Sequence, residues 1–331
     1  MPAYSATTSS RNREKTGYDD EALPPAYEEN ARPAVPEGLY VITNRRSRLV
    51  LDLRDGESRD GALCYAYTRN NNDCIDHQFW IVKQNGSNGA YTLQNIRGGH
   101  FLSLPWKLFS IPLKQQVTEP IICHAREPKG TNRLNQEWHI QTKSTGSYAI
   151  QSARTHKFLD VRQGWLVNSL LLSPGSEENE GQVWDLERVS RTTQEIRTIL
   201  CEWRPHILSR LFQPYPDDAQ YFLLPHELRK AIWEREGLHQ HGSVQYAFDY
   251  DDFVTKAKAA ANSWARYRFR VGGYSALFGV VYGEAKKGPR AYNWYLAPDM
   301  RSLVFFDAQT GKEYTQTTLE EFEFEPTFAT F

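Results

Sequence analysis

The sequence predicts a multidomain chain: an all-β domain of three related units, then an α+β domain, with a non-globular tail ahead of both. Gln-x-Trp recurs at Gln78-Phe79-Trp80, Gln136-Glu137-Trp138 and Gln182-Val183-Trp184. After Val189 the apolar spacing changes from two to three and four, the period of helices. Before residue 37 there is no apolar periodicity at all.

The tail, residues 1–36, is rich in Ser, Thr, Pro, Glu and Arg and is expected to be disordered. It contains Pro24-Pro25-Ala26-Tyr27. A Pro-Pro-x-Tyr segment preforms a polyproline II turn and offers its tyrosine to an aromatic groove, as WW-domain ligands do. An ordinary proline-rich tail is the alternative.

Residues 37–189 carry the repeat. The tryptophans stand 58 and 46 residues apart. Ahead of each lies a pair of runs with period two: "YVIT" and "LVLDL", "YTLQN" and "HFLSL", "YAIQS" and "KFLDV". Period two between polar turns predicts strands. Three such units would bury their faces around a pseudo-threefold axis, with the tryptophans filling the shared core.

Residues 190–331 read differently. Ile196, Ile199, Leu200 and Trp203 form one helical stripe. "LPHELRKAIWEREGL" is a second helix, stopped by Gly237, and "DDFVTKAKAAANSWARY" a third. The runs "YSALFGVVYG", "RAYNWYLA" and "SLVFFDA" follow as strands. Helices followed by hairpins predict an α+β domain.

Bulk properties exclude some functions. At 331 residues and 40% hydrophobic there is material for two cores. A net charge of −1 supplies no cationic excess for nucleic acid. No apolar run approaches the ~20 residues of a membrane span. "MPAYSATTSSRNREK" lacks the apolar centre of a secretory signal, so a cytoplasmic setting with reduced thiols is expected for Cys64, Cys74, Cys123 and Cys201. Cys64 and Cys74, ten residues apart, are the pair to consider under oxidising conditions. Cys201 and His206 lie on different faces of a helical segment interrupted by Pro205, and His239 and His241 alone make a weak metal signal.

With its three Gln-x-Trp motifs in register, residues 37–189 resemble a ricin-B-type β-trefoil lectin. The resemblance implies a sugar site in each repeat: an Asp after the second strand, an aromatic platform, and an Asn three residues before the Gln. The first repeat has Asp52, Tyr67 and Gln78, with Ile75 at the Asn position. The second has Ser103 and Arg133 in place of the Asp and Asn. The third has Asp160, Asn179 and Gln182, with Leu171 at the platform position, counted from the tryptophan. No repeat is complete. The first, then the third, is the expected binder, and a trefoil kept only as scaffold is the alternative.

From Tyr221 onward, "YFLLP", "YDDF", "KAKAAANSW", "LFGVVYG", "AYNWYL" and "LVFFDAQTGKE" resemble the C-terminal domain of fungal chimerolectins typified by Marasmius oreades agglutinin. That resemblance implies a papain-like, calcium-dependent cysteine protease that is also a dimerisation module, behind a lectin for galactose-containing glycans. The nucleophilic Cys would stand at Tyr250, the His at Arg290 and the acidic orienting residue at Asp307. A phenol with a pKa of about 10 is a poor nucleophile, and a guanidinium cannot act as a base near neutrality. The domain therefore reads as a pseudo-protease, with an Arg290–Asp307 ion pair expected where imidazole and carboxylate would have met. Asp249, Asp251 and Asp252 form a hard-oxygen cluster suited to calcium. Otherwise Asp251 caps the helix and Asp252 favours its dipole.

Three functions compete: a glycan-binding homodimer with a silent C-terminal domain, a hydrolase using unanticipated residues, and an intracellular adaptor that recruits a WW-domain protein through its tail.

Overall fold

Period-two runs separated by polar turns fold as twelve strands, four to a repeat. The first repeat holds β1 (Gly38–Asn44), β2 (Val50–Leu53), β3 (Ala62–Tyr67) and β4 (Trp80–Asn85). The second holds β5 (Ala90–Asn95), β6 (Phe101–Ser103), β7 (Ile122–His124) and β8 (Trp138–Thr142). The third holds β9 (Tyr148–Ser152), β10 (Phe158–Arg162), β11 (Ser169–Ser173) and β12 (Trp184–Arg188). The computed structural model describes residues 35–85, 89–105, 120–127, 133–143, 146–162, 169–212, 216–240 and 249–331. Pro24, Pro25, Tyr27 and His241 lie outside the described residues.

Strands β1, β4, β5, β8, β9 and β12 pair antiparallel in that order and close into a barrel. The β2–β3, β6–β7 and β10–β11 hairpins cap it, joined because β3 pairs with both β7 and β11. This is a β-trefoil. Each repeat-defining tryptophan opens the last strand of its unit and is fully buried. Its indole N–H would be costly to leave unpaired there. Trp80, Trp138 and Trp184 donate to the carbonyls of Leu51, Leu102 and Leu159 at 2.8, 3.1 and 3.0 Å.

Cys64 on β3 lies 3.2 Å, sulfur to sulfur, from Cys123 on β7, both buried. Ten-residue spacing suggested Cys74 instead. The β3–β7 ladder overrides that spacing, and Cys74 stays exposed in the turn beyond β3.

Among the described residues, the C-terminal domain has two sheets and four α-helices. Strands β13 (Ser190–Thr192), β15 (Gln220–Phe222) and β16 (Tyr274–Ala276) form the smaller sheet, in that order. The larger sheet has the order β14 (Leu211–Phe212), β21 (Glu325–Thr330), β17 (Gly279–Ala285), β18 (Gly288–Leu296), β19 (Leu303–Asp307), β20 (Lys312–Thr315). The helices are α1 (Thr193–Trp203), α2 (His226–Arg235), α3 (Tyr250–Arg268) and α4 (Gln316–Glu321). Helix α1 starts at a capping box: Thr192 Oγ1 accepts from Glu195 N, and Glu195 Oε2 accepts from Thr192 N. Along α3, Phe253, Ala257 and Trp264 are buried as their spacing predicts, but Ala261 is buried in place of the expected Ala260, which is only partly covered.

The two domains share a core. Tyr40 and Ile42 of β1 face the trefoil interior, whereas Leu39 and Val41 pack outward with Ile75, Phe79, Ile81 and Ile96 into the C-terminal core. Phe79 meets Phe222 edge-on at 6.0 Å. Polar contacts flank this seam. Trp264 Nε1 donates to Asp73 Oδ1 (3.1 Å), and Arg268 Nη1 donates to Asp73 O (2.6 Å). Asp76 is fully buried beside Arg268 (3.6 Å), Arg97 (3.7 Å) and His77 (3.8 Å), yet neither of its oxygens accepts a hydrogen bond of ordinary geometry.

Candidate functional site

In each repeat the Gln of Gln-x-Trp ends a short 3₁₀ helix and is buried. Its amide ties down the loop after the third strand. Gln78 Nε2 donates to Thr68 O (2.8 Å) and its Oε1 accepts from Asn70 N (2.8 Å). Gln136 does the same with Ala125 O and Glu127 N, and Gln182 with Pro174 O and Ser176 N. Gln78 and Gln182 are therefore loop staples that set the acidic side chain beside them.

The three repeats then diverge. In the first, Asp52 is only 1% exposed and accepts from Gln78 Nε2 at 2.7 Å. Burial pushes its carboxyl up to about 6, with the Gln78 hydrogen bond opposing the rise. Tyr65 lies directly across the ladder from Asp52, and Tyr67, half exposed, lies across from Val50. Ile75, at the Asn position, is buried in the interdomain core, so that repeat has given the position to packing. In the second repeat the Ser103 hydroxyl bonds to the adjacent Leu104 carbonyl, and Arg133 pairs with Glu137 at 2.9 Å.

The third repeat forms an open pocket of about 410 Å³, walled by Asp160, Leu171, Ser173 and Asn179 with Arg46 and Arg162 at its rim. Asp160 Oδ2 accepts from Ser173 Oγ (2.6 Å) and Asn179 Nδ2 (2.8 Å), and Ser173 Oγ accepts from Gln182 Nε2 (2.5 Å). Strand register corrects one equivalence. Leu171 lies opposite Asp160 as Tyr65 lies opposite Asp52, so the counterpart of Tyr67 is Ser173. Counting back from the tryptophans misses this because the third repeat's connection is two residues shorter. Gly181 keeps the pocket open: a Cβ there would stand 2.3 Å from Asp160 Oδ1.

In the C-terminal domain, Tyr250 is the first residue of α3, Arg290 lies in β18 and Asp307 ends β19. Partial burial, then Asp249 and Asp251, raise the Tyr250 phenol above its ordinary range. The expected Arg290–Asp307 ion pair is not among the ion pairs of the described residues. Arg290 Nη1 donates to the neighbouring Pro289 carbonyl (2.9 Å), whereas Asp307 Oδ1 accepts from Gln309 N and Thr310 N, which ties it into the β19–β20 turn. The carboxylate is satisfied locally by backbone, so nothing draws it to the guanidinium. His206 pairs with Glu325 (3.1 Å) rather than Cys201, and His239 packs on the Trp233 ring.

Asp249, Asp251 and Asp252 bring carboxylate oxygens within 4.8 Å of one another at the start of α3. Asp249, not Asp251, is the N-cap residue, and its N–H donates to Asp252 Oδ2 at 3.2 Å. A hydrogen bond with Asp249 raises the Asp251 carboxyl, as expected when two carboxylates crowd one proton.

Sequence alone missed the seam residues Asp73 and Asp76. A signal was present in two acids flanking a Gln-x-Trp turn, but nothing local showed that a second domain would cover them.

Against known families, residues 31–107 and 134–200 match the ricin-type beta-trefoil lectin domain-like family, and residues 221–313 match the agglutinin C-terminal family. No curated protein matches the chain. Among solved structures, a Polyporus squamosus lectin bound to the epitope Neu5Aca2-6Galb1-4GlcNAc is 22% identical with a TM-score of 0.71, over 90% of this chain and 99% of that one. A PSL1a–E64 complex is 22% identical with a TM-score of 0.67, over the same shares. A Macrolepiota procera ricin B-like lectin in complex with lactose is 22% identical, over 46% of this chain and 98% of that one, with a TM-score of 0.34. The first two show the fold: a ricin-B-like β-trefoil followed by a domain of sheets and helices.

Proposed function

We propose that this protein binds glycans through the third repeat of its trefoil and that its C-terminal domain is catalytically silent. One observation carries the reading: Asp160, Ser173 and Asn179 converge on an open pocket, whereas Asp52 is sealed and Ser103 has no carboxylate. A carboxylate held by two neutral donors keeps one oxygen for sugar hydroxyls, and Leu171 supplies an apolar wall. Galactose-containing glycans are the class to test first, following the resemblance in sequence. A glycan array on wild type, Asp160→Ala and Asp52→Ala tests the proposal. Binding lost in Asp160→Ala and kept in Asp52→Ala is expected, and the reverse pattern would overturn the assignment.

Silence of the C-terminal domain rests on Tyr250 and Arg290. Neither has nucleophile or base chemistry at neutral pH, and no relay joins them to Asp307. Casein hydrolysis by the wild type in calcium would refute it.

Asp249, Asp251 and Asp252 fit calcium, which takes 6–8 oxygens and tolerates irregular geometry. Bound there, it would neutralise three clustered carboxylates at the opening of α3. A titration calorimeter showing no calcium heat would remove the cation from the proposal. The same resemblance makes the C-terminal domain the proposed homodimer contact, which sedimentation equilibrium tests.

A further inference from the structure

A larger cavity than the third-repeat pocket lies elsewhere, between the domains. It has a volume of about 760 Å³ and is walled by Glu37, Ile81, Lys83 and Gln94 of the trefoil and by Asp218, Gln220, Asn262, Arg266 and Tyr274 of the C-terminal domain. We infer that this seam cleft is a second ligand site, built for an uncharged, hydroxyl-rich ligand such as the end of an oligosaccharide.

The orientation of Gln220 carries the inference. The residue is 6% exposed. Leu39 N donates to Ser190 Oγ at 2.9 Å, and the Ser190 hydroxyl donates in turn to Gln220 Oε1 at 2.8 Å. The serine's proton has one place to go, so this relay fixes which end of the amide is oxygen. Gln220 Nε2 is left lining the cleft with no acceptor among the described residues. That nitrogen opens onto the cleft, where water or a ligand hydroxyl can accept from it.

Two neighbouring amides also line the cleft. Gln94 Nε2 donates to the Gly99 carbonyl (2.8 Å), which leaves its Oε1 as a fixed acceptor, and Asn262 touches the Ser275 hydroxyl at 3.4 Å, a long contact that leaves its amide able to turn. The cleft thus offers a fixed donor, a fixed acceptor and one adaptable amide on neutral groups, beside the Tyr274 ring and the Ile81 side chain. That pattern suits hydroxyls on one side and an apolar C–H face on the other. Lys83 and Glu37 neutralise each other at 2.8 Å, so no isolated charge dominates the trefoil side. The floor passes through Gly272 and Gly273, where an added Cβ would meet nothing within 4 Å.

The test uses three uncharged probes, 3′-galactosyllactose, maltotriose and mannotriose, on the full chain. Titration into an Asp52→Ala/Asp160→Ala variant removes the trefoil sites, so failure of the third-repeat reading and failure of this one are distinguishable. At least one probe should still bind. Adding Gln220→Leu, or separately Asn262→Ala, should weaken that binding roughly tenfold, the effect of one buried hydrogen bond. In wild type, the same probe should slow hydrogen exchange at Gln220, Gly273 and Ser275, a readout independent of whether any variant folds. Absence of that protection, or binding indifferent to both substitutions, overturns the site. Equal displacement by the peptide Ac-Gly-Ser-Gly-NH₂ overturns the sugar class.

Discussion

Replacing Asp76 by asparagine should make the protein more stable at neutral pH and leave it little changed in acid. Burial raises the Asp76 carboxyl from 3.8 to about 6, with Arg268 and Arg97 opposing the rise. Its two oxygens accept no hydrogen bond of ordinary geometry, and the Arg268 and Arg97 guanidiniums stand 3.6 and 3.7 Å away. Well below pH 3.8 the carboxyl is neutral in both folded and unfolded chains, so it costs nothing. As pH rises through 6 the folded state must hold a charge that burial disfavours, and stability is lost. A shift of about two units corresponds to an upper limit of ~3 kcal/mol. Asparagine cannot ionise, so the variant should gain on wild type by about 2 kcal/mol of that limit between pH 4.5 and pH 7.5, the rest being lost already below pH 4.5. At about 2 °C per kcal/mol for a chain of this size, the melting temperatures should diverge by roughly 4 °C. Any fixed cost of placing an amide beside Arg97 and Arg268 is the same at both pH values and cancels in the comparison. A difference in melting temperature that stays flat with pH, or shrinks as pH rises, would refute the reasoning.

Other substitutions probe other levels of the structure. Trp138→Phe should destabilise by ~2–4 kcal/mol, since it orphans the Leu102 carbonyl and leaves a void in a core of zero exposure; urea denaturation measures it. Gly181→Ala should abolish third-repeat glycan binding with little change in far-ultraviolet circular dichroism, because its methyl lands on Asp160; retained affinity would argue against that pocket. Treatment with glutathione disulfide should link Cys64 to Cys123 rather than to Cys74, both thiols losing a proton and an electron to the disulfide reagent. Across a 59-residue separation the link should add about 4 kcal/mol, and peptide mapping under non-reducing conditions would expose a wrong partner.

The trefoil was readable because its signal repeats: three tryptophans in register, each ahead of the same strand, imply one packing solution used three times. Helices α1 to α3 were readable for a similar reason, since Phe253, Ala257 and Trp264 hold a stripe that only a helix keeps together. Sites were harder. Gln78 and Gln182 recur with the tryptophans and were taken for sugar ligands, yet recurrence reflects the loop that each must hold. The platform position in the third repeat is displaced by two residues when counted from the tryptophan, because loop length, unlike strand register, is free to drift. Arg290 and Asp307 were paired by analogy, but short-range backbone donors reached the carboxylate first. Ile75 looked like a lost sugar contact, and its burial under the second domain explains the loss.

Strand β1 belongs to two interiors at once, its residues pointing alternately into the trefoil and into the domain beyond it. A chain built this way has no hinge to cut. Expressed alone, residues 37–189 would present the outer side of that strand, with Phe79 and Ile81, to water, and aggregation is the expected fate of such a fragment. The same continuity has a positive side. A glycan held at the proposed third-repeat site would also dictate which way the C-terminal sheet faces, so gripping it would aim the rest of the molecule.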